Sequence, residues 1–237
     1  MKRLMLALAL CAAPAGATTV DEVVARYLEA RGGAAAWQAV RTLEWRGTYT
    51  NFSVVHPFKL QWQRPGSLRF ESASLAGPYV HATDGEKAWW IEPMMEANPG
   101  VPEAPFDALI RYQAAVEPEL IGWREKGHSL ELLGPGDIDG QPTVRLKLTR
   151  KDGSVETWHL DPSSGLEIAV DSVNYDMTLG PQAWSARAYF SDFKKVGGVL
   201  LPHRIEKEWG PRYTVLAIEE AKVNPELPAS VFTMPGK

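Results

Sequence analysis

Apolar residues alternate with polar ones over most of the chain after Leu43. In the segment Leu43–Tyr49, for example, Trp45 and Tyr49 fall on the same side as Leu43, and 58–62 and 144–148 repeat the pattern. A period of two is typical of strands with one buried face, and short turn sequences such as Asp84-Gly85 separate the segments. The pattern predicts a mainly β fold: a single antiparallel sheet of about eleven strands, joined largely by hairpins.

Helical periodicity interrupts the alternation at two places. Thr19 and Glu22 form a T-x-x-E capping box before an apolar run, and Gly32-Gly33 is suited to end that helix. A short second helix is expected over 34–40. Further along, residues 92–126 begin with a proline-rich stretch and then repeat apolar residues at helical spacing, which predicts a helical insert with a helix near 104–115.

The first 17 residues resemble a secretory signal peptide. Lys2 and Arg3 precede a short apolar run, and Ala15-Gly16-Ala17 is an A-x-A cleavage sequence, so we expect a single mature domain over 18–237. Cleavage removes the one cysteine and leaves 23 basic against 29 acidic residues, a change in net charge from −4 to −6. A cysteine-free exported chain suits the periplasm of a Gram-negative bacterium, and the acidic charge argues against nucleic acid as a partner.

The stretch Tyr189–Trp209 combines possible catalytic residues with hairpin chemistry. A two-residue turn at Gly197-Gly198 places Asp192 opposite His203, as a carboxylate would stand beside a general base. This pair makes a periplasmic hydrolase one alternative. An opposite-charge pair that supports the hairpin is the simpler interpretation, because no G-x-S-x-G sequence supplies a nucleophile.

The histidines and glycines of the chain match no metal or nucleotide motif. The histidine spacings fit neither H-x-x-x-H nor H-E-x-x-H, and the glycine pairs lack a phosphate-loop context. We therefore expect no metal, no cofactor and no catalytic residues.

A single curved sheet has no second sheet to bury its apolar face, so helices or a ligand must cover it. Ordinary core packing is the common fate of such residues, but adaptable methionines beside a proline-rich loop favour a cavity with a lid. The residues predicted to line a ligand cavity are Trp45, Tyr49, Leu60, Trp62, Phe70, Trp90, Met94, Met95, Phe106, Leu109, Ile110, Trp158, Leu201, His203 and Ile205.

Several phrases of the sequence resemble a known group of exported bacterial proteins. They are YLEARGGAAAWQAVRTLEWRGTY, KGHSLELLGPGDIDGQPTVRLKLTRKDG, HLDPSSGLEI, YFSDFKKVGGVLLPHRIE and NPELPASVF. Together they resemble the outer-membrane lipoprotein-sorting proteins, relatives of the periplasmic lipoprotein carrier (LolA/LolB-like) superfamily.

The resemblance implies an open half-barrel, plugged by N-terminal helices and a central insert, whose cavity holds acyl chains without a cofactor. The implied function is a periplasmic carrier for lipid or lipoprotein acyl chains, a monomer with a lipid or acylated lipoprotein as ligand and an inner- or outer-membrane complex as a further partner. An envelope-sensing or partner-docking module on the same fold is a second alternative to the carrier.

Overall fold

The computed structural model describes residues 18–74, 76–93, 96–176 and 178–236. The predicted signal peptide, 1–17, lies outside the described residues, as do Met94 and Met95. The described part contains three α-helices, a terminal 3₁₀ helix at Ala229–Val231 and thirteen strands. The helices are α1 (Val20–Ala30), α2 (Ala34–Ala39) and α3 (Phe106–Gln113). The strands are β1 (Thr42–Asn51), β2 (Val54–Gln63), β3 (Ser67–Ser74), β4 (Gly77–Thr83), β5 (Ala88–Glu92), β6 (Glu96–Gly100), β7 (Ser129–Ile138), β8 (Gln141–Thr149), β9 (Val155–Leu160), β10 (Glu167–Asp176), β11 (Gly180–Val196), β12 (Val199–Trp209) and β13 (Arg212–Val223).

All thirteen strands form one open antiparallel sheet. Their order is β6-β5-β4-β3-β2-β1-β13-β12-β11-β10-β9-β8-β7, so two meanders meet where the first strand pairs with the last. The insert carries the chain from one end of the sheet to the other. Helix α3 contacts β4 and β5 as well as β10, which stand far apart in this order, so the sheet curves around the helix.

The sheet has two more strands than the predicted number of about eleven. One unpredicted strand is β6, which lies in the proline-rich start of the insert and contains Pro99. Proline lacks the N–H of a ladder and is confined largely to edge strands, and β6 is an edge. The opposite edge, β7, similarly contains Pro135 and extends to Ile138, through a stretch rich in glycine and aspartate.

The predicted capping box forms at the start of α1. The Thr19 amide donates to Glu22 Oε2 over 2.8 Å, and the Glu22 amide donates to Thr19 Oγ1 over 3.3 Å. The helix ends at the predicted glycines, since Gly32 and Gly33 have φ values of 103° and 91°. A side chain at Gly32 would meet the carbonyl oxygen of Gly198 at 2.5 Å, so the helix end lies against the β11–β12 turn.

The β11–β12 hairpin has the predicted register. Val196 pairs with Val199 across Gly197-Gly198, and Phe193 pairs with Pro202. On its other side, β12 pairs with β13 only from Arg204 onward, as expected where a proline lacks its donor. The amide of Leu200 instead donates to the carbonyl of Arg31 at the end of α1, over 3.0 Å.

Helices α1 and α2 cover part of the apolar face of the sheet. Trp37 of α2 packs with Leu43, Trp62 and Leu201, while Tyr27 of α1 belongs to a second core cluster. That second cluster includes Leu146, Leu148, Leu160 and Trp158. Members of both clusters, among them Leu60 and Trp158, also border the space beside α3.

Candidate functional site

A cavity of about 450 Å³ lies between the concave face of the sheet and α3. Strands from both halves of the sheet contribute to its wall, together with α3 and the loop that follows it. Its size is within the range of small-molecule sites. Ten of the residues predicted to line a cavity do stand in this wall: Trp45, Tyr49, Leu60, Phe70, Trp90, Phe106, Leu109, Ile110, Trp158 and Ile205.

Three predicted residues with described positions lie outside the wall. Trp62 is buried and donates its indole N–H to the carbonyl of Ala114 over 2.8 Å, so it anchors the end of α3. Leu201 joins the Trp37 cluster, next to the point where the Leu200 amide meets the end of α1, and His203 is buried outside the wall. Met94 and Met95 fall outside the described residues.

The pair proposed for a hydrolase, Asp192 and His203, does not form. Asp192 has a φ of 52° and is exposed, and its carboxylate lies 2.8 Å from the ammonium of Lys194. His203 is buried, with Nδ1 3.1 Å from the carbonyl oxygen of Leu201. The two residues lie between the paired positions Ser191–Arg204 and Phe193–Pro202 without pairing themselves, and their side chains are engaged elsewhere.

One patch of the cavity wall is a polar chain that the sequence analysis missed. The Tyr79 hydroxyl lies 3.2 Å from His81 Nδ1, and His81 Nε2 lies 2.8 Å from Glu92 Oε1. Burial raises the pKa of the Tyr79 phenol, and it raises that of Tyr49 as well, with the charges of Glu92 and Asp176 adding to the effect. These phenols are neutral donors at physiological pH. Tyr79 and His81 are two residues apart in β4, so a period of two predicts that their side chains share a face. His81 pairs with Trp90 of β5, which lies on the same face.

Glu156 of β9 joins α3 to the sheet on one side of the cavity. Its carboxylate accepts hydrogen bonds from the hydroxyl of Tyr112, from Arg150 and from the indole of Trp158, at 2.6, 2.7 and 2.7 Å. Arg150 also lies 2.9 Å from Glu119, in the loop after α3. Helix α3 and its loop are thereby held to β8 and β9.

The same loop is held to β2 on the other side. Arg64 donates two hydrogen bonds to Glu117, at 2.9 and 3.0 Å, beside the indole bond from Trp62 to Ala114. The segment that covers the cavity therefore has polar attachments to both halves of the sheet.

A buried ion pair between Arg31 and Glu167 stands at the cavity wall near α1. The guanidinium lies against the rings of Tyr27, Trp37 and Phe193, at 6.0, 5.3 and 5.5 Å from their centroids. Burial raises the pKa of Glu167, although the neighbouring charge of Arg31 opposes that shift. Three polar atoms of this group, Tyr27 Oη, Arg31 Nε and Glu167 Oε2, have no hydrogen-bond partner within the described part of the chain.

Lys207 of β12 brings a positive charge to the cavity. Its ammonium donates to Asn174 Oδ1 over 3.1 Å and lies 5.7 Å from the centroid of the Trp209 ring. Burial lowers the pKa of Lys207 to about 8, against the opposing influence of Glu156. The strand alternates through Ile205, Lys207 and Trp209, so a period of two predicts that Lys207 shares the face of its apolar neighbours.

The described part of the chain contains neither a metal-binding cluster nor a membrane-spanning helix. Among those residues, no three His, Cys, Asp or Glu side chains are grouped so that they could hold a metal ion. No helix there combines the length and apolar character needed to cross a membrane.

The fold is similar to several solved structures of bacterial proteins. A DUF1329 family protein from Desulfovibrio piger superposes with a TM-score of 0.59 at 12% identity, over 90% of this chain and 97% of that one. An outer membrane lipoprotein-sorting protein domain from Vibrio parahaemolyticus gives 0.56 at 12% identity, over 89% and 94%. A LolA superfamily protein from Nitrosomonas europaea gives 0.56 at 15% identity, over 92% and 98%.

These similarities confirm, at the level of the fold, the resemblance that the sequence motifs indicated. The chain has the open antiparallel architecture of LolA-superfamily and lipoprotein-sorting proteins, matched over nearly the whole length of each. No protein-family model and no curated protein matches the sequence. At identities of 12–15%, the similarity establishes the architecture and leaves the ligand to be inferred from the cavity.

Proposed function

We propose that this chain is a periplasmic binding and carrier protein for lipid or lipoprotein acyl chains. The observation that carries the proposal is the aromatic cavity between the concave sheet and α3, walled by Trp45, Tyr49, Phe70 and Trp90. Each CH₂ group transferred from water into such a wall contributes about 0.8 kcal/mol, so an acyl chain gains affinity from burial alone. The fold shared with lipoprotein-sorting proteins supports the same function.

The sheet acts as a half-barrel in this proposal, and the helices and insert act as its plug. Helix α3 and its loop contribute apolar residues to the wall and are attached to the rest by a few polar contacts, those of Tyr112, Arg64 and Arg150. Breaking these contacts would open the cavity while the sheet stays intact. The proposal also includes export by the N-terminal signal peptide and cleavage before Thr18. The mature carrier is a monomer that binds a membrane complex.

Native mass spectrometry of the protein purified from a Gram-negative periplasm tests this function. We expect a bound lipid, and uptake of an added acylated peptide or fatty acid by the delipidated protein. An Ala188→Trp variant should reduce uptake, because Ala188 stands in the cavity wall and the larger ring would occupy that space. Ala183→Trp is the matched control, since it adds the same ring at an exposed position of the same strand.

The result that contradicts the carrier function is specific. The purified protein would carry no lipid, and the delipidated protein would take up no acylated probe. Uptake would also be identical in the wild type and in Ala188→Trp.

A further inference from the structure

Lys207 is placed to act on whatever fills the cavity. On β12 it alternates with Ile205 and Trp209, and its cross-strand neighbours are Ala188 of β11 and Thr214 of β13. All four of these neighbours stand in the cavity wall together with Lys207. Because successive side chains of a strand point to opposite faces, this set places the ammonium on the concave side.

Unlike the two guanidinium groups of the wall, the ammonium of Lys207 has no counter-ion among the described residues. Within the described residues, Arg31 pairs with Glu167, Arg150 with Glu119 and Glu156, and Asp176 with Arg212, while Glu92 is hydrogen-bonded to His81. Lys207 has the neutral amide of Asn174 as its hydrogen-bond partner, and Asn174 is itself 4% exposed.

Two acids of the same wall are already bonded to other donors. Glu156 of β9 is occupied by Tyr112, Arg150 and Trp158. Asp176 of β10 accepts from the indole of Trp209 at 3.0 Å and from Arg212 at 3.2 Å. The half-buried ammonium has no opposite charge among the described residues, and an anion brought by a ligand would supply one.

We propose that Lys207, with Asn174 and Trp209 beside it, binds the acidic head group of an acyl-chain ligand. This inference rests on the proposed lipid-binding function and names its ligand class: amphiphiles that end in an anionic oxygen group, a carboxylate or a phosphate. The apolar chain packs against the aromatic wall. The ammonium pairs with the anion, the Asn174 amide holds the ammonium in place, and the Trp209 ring covers one side of the pair.

Binding of three chains of equal length to the delipidated protein tests the head group. The probes are palmitate, hexadecyl phosphate and hexadecanol, which share the alkyl chain and differ in charge. We expect at least one of the anions to bind about tenfold or more tightly than the alcohol, the factor that a 1.4 kcal/mol difference produces. The tighter of the two anions distinguishes a carboxylate from a phosphate.

Variants of Lys207 locate the effect. Lys207→Met, which keeps the length of the side chain without its charge, should remove the preference for the anion and leave hexadecanol binding within about twofold. Lys207→Arg should retain most of the preference. Lys195→Met is the control, because it removes the same charge from an exposed position on β11.

The outcomes separate this inference from the function on which it rests. If wild-type protein binds hexadecanol as tightly as both anions, or if Lys207→Met keeps the full preference, the head-group site is wrong while lipid binding stands. If none of the three probes binds, lipid binding itself fails and the head-group site fails with it.

Discussion

The hydroxyl of Tyr112 donates a 2.6 Å hydrogen bond to Glu156, and this bond joins helix α3 to strand β9 across the cavity wall. The two residues are 44 positions apart in sequence. Glu156 also accepts hydrogen bonds from Arg150 and from the indole of Trp158. A single carboxylate therefore organises the contact between the sheet and α3, the cover of the cavity. The cover of the cavity is therefore attached at a few identifiable atoms.

Removing the Tyr112 hydroxyl should loosen the cover selectively. In Tyr112→Phe the carboxylate of Glu156 keeps its other donors, so we expect a loss of stability of about 1 kcal/mol. Hydrogen–deuterium exchange over 106–113 should accelerate more than exchange in the sheet. Tyr213→Phe, at an exposed position of β13, is the control and should change neither quantity. Uniform acceleration across the whole chain would contradict a local attachment.

The attachment on the opposite side should be at least as important. Trp62→Phe removes the indole donor from the carbonyl of Ala114 and leaves that buried acceptor unpaired. We expect a loss of about 1–3 kcal/mol in the free energy of unfolding, measured by denaturant titration. Trp184→Phe is the matched control, because the Trp184 indole N–H has no partner to lose. Equal losses in the two variants would show that ring size, and not the hydrogen bond, matters.

Gly197 should resist substitution for two reasons. Its φ is 55°, and a Cβ there would approach Cβ of Val223 to 2.6 Å, so Gly197→Ala adds overpacking to backbone strain. Gly33→Ala is the control, since Gly33 also has a positive φ but open space around it. We expect thermal denaturation to show Gly197→Ala less stable than Gly33→Ala by about 1–3 kcal/mol. Equal costs would mean that the hairpin can move away from Val223.

Lys207 should make the stability of the empty protein depend on alkaline pH. Its pKa is about 8 in the fold, below the ordinary lysine value of about 10.4, so the unfolded chain holds the proton more tightly. The destabilisation that results is fully present below pH 8 and disappears as the pH rises between the two values. Lys207→Met should therefore melt higher at pH 7, by roughly 2–4 °C for each kcal/mol relieved.

The advantage of Lys207→Met should shrink toward pH 10. Glu156 and Asp176 are acids of the same wall, and the charge of Glu156 already opposes the lowering of the Lys207 pKa. Melting curves of the two proteins at pH 7, 8.5 and 10 check the trend. A constant difference at all three values would show that the lysine keeps an ordinary pKa.

The sheet and its main hairpin could be predicted because the alternation of apolar residues along each strand identifies the face that is buried. Period two and turn glycines gave the register of β11 with β12, down to the pairing of Phe193 with Pro202. Strand β6 was missed because Pro99 argues against a strand unless the strand is known to be an edge, and edges depend on the topology of the whole sheet.

The apolar wall of the cavity was easier to predict than its polar groups. Trp45 and Phe70 follow the alternation of apolar and polar residues, so the sequence predicted them on the buried, concave face of the sheet. Leu201 obeys the same alternation as Ile205, but α1 and α2 cover its end of β12, so the two residues have different surroundings. Among the described residues, Lys207 has no counter-ion because the acids of distant strands pair with other groups. A local sequence pattern cannot predict those pairings.

Pro99 and Pro135 have a consequence beyond the missed strand. An open sheet ends in two edges, and each is a template on which another extended chain could add and begin a fibril. Each edge strand here has a position without an N–H, so a continuous ladder cannot form along it. The prolines of the two edge strands thereby oppose edge-to-edge assembly of the open sheet through the backbone alone, without any change to its apolar face.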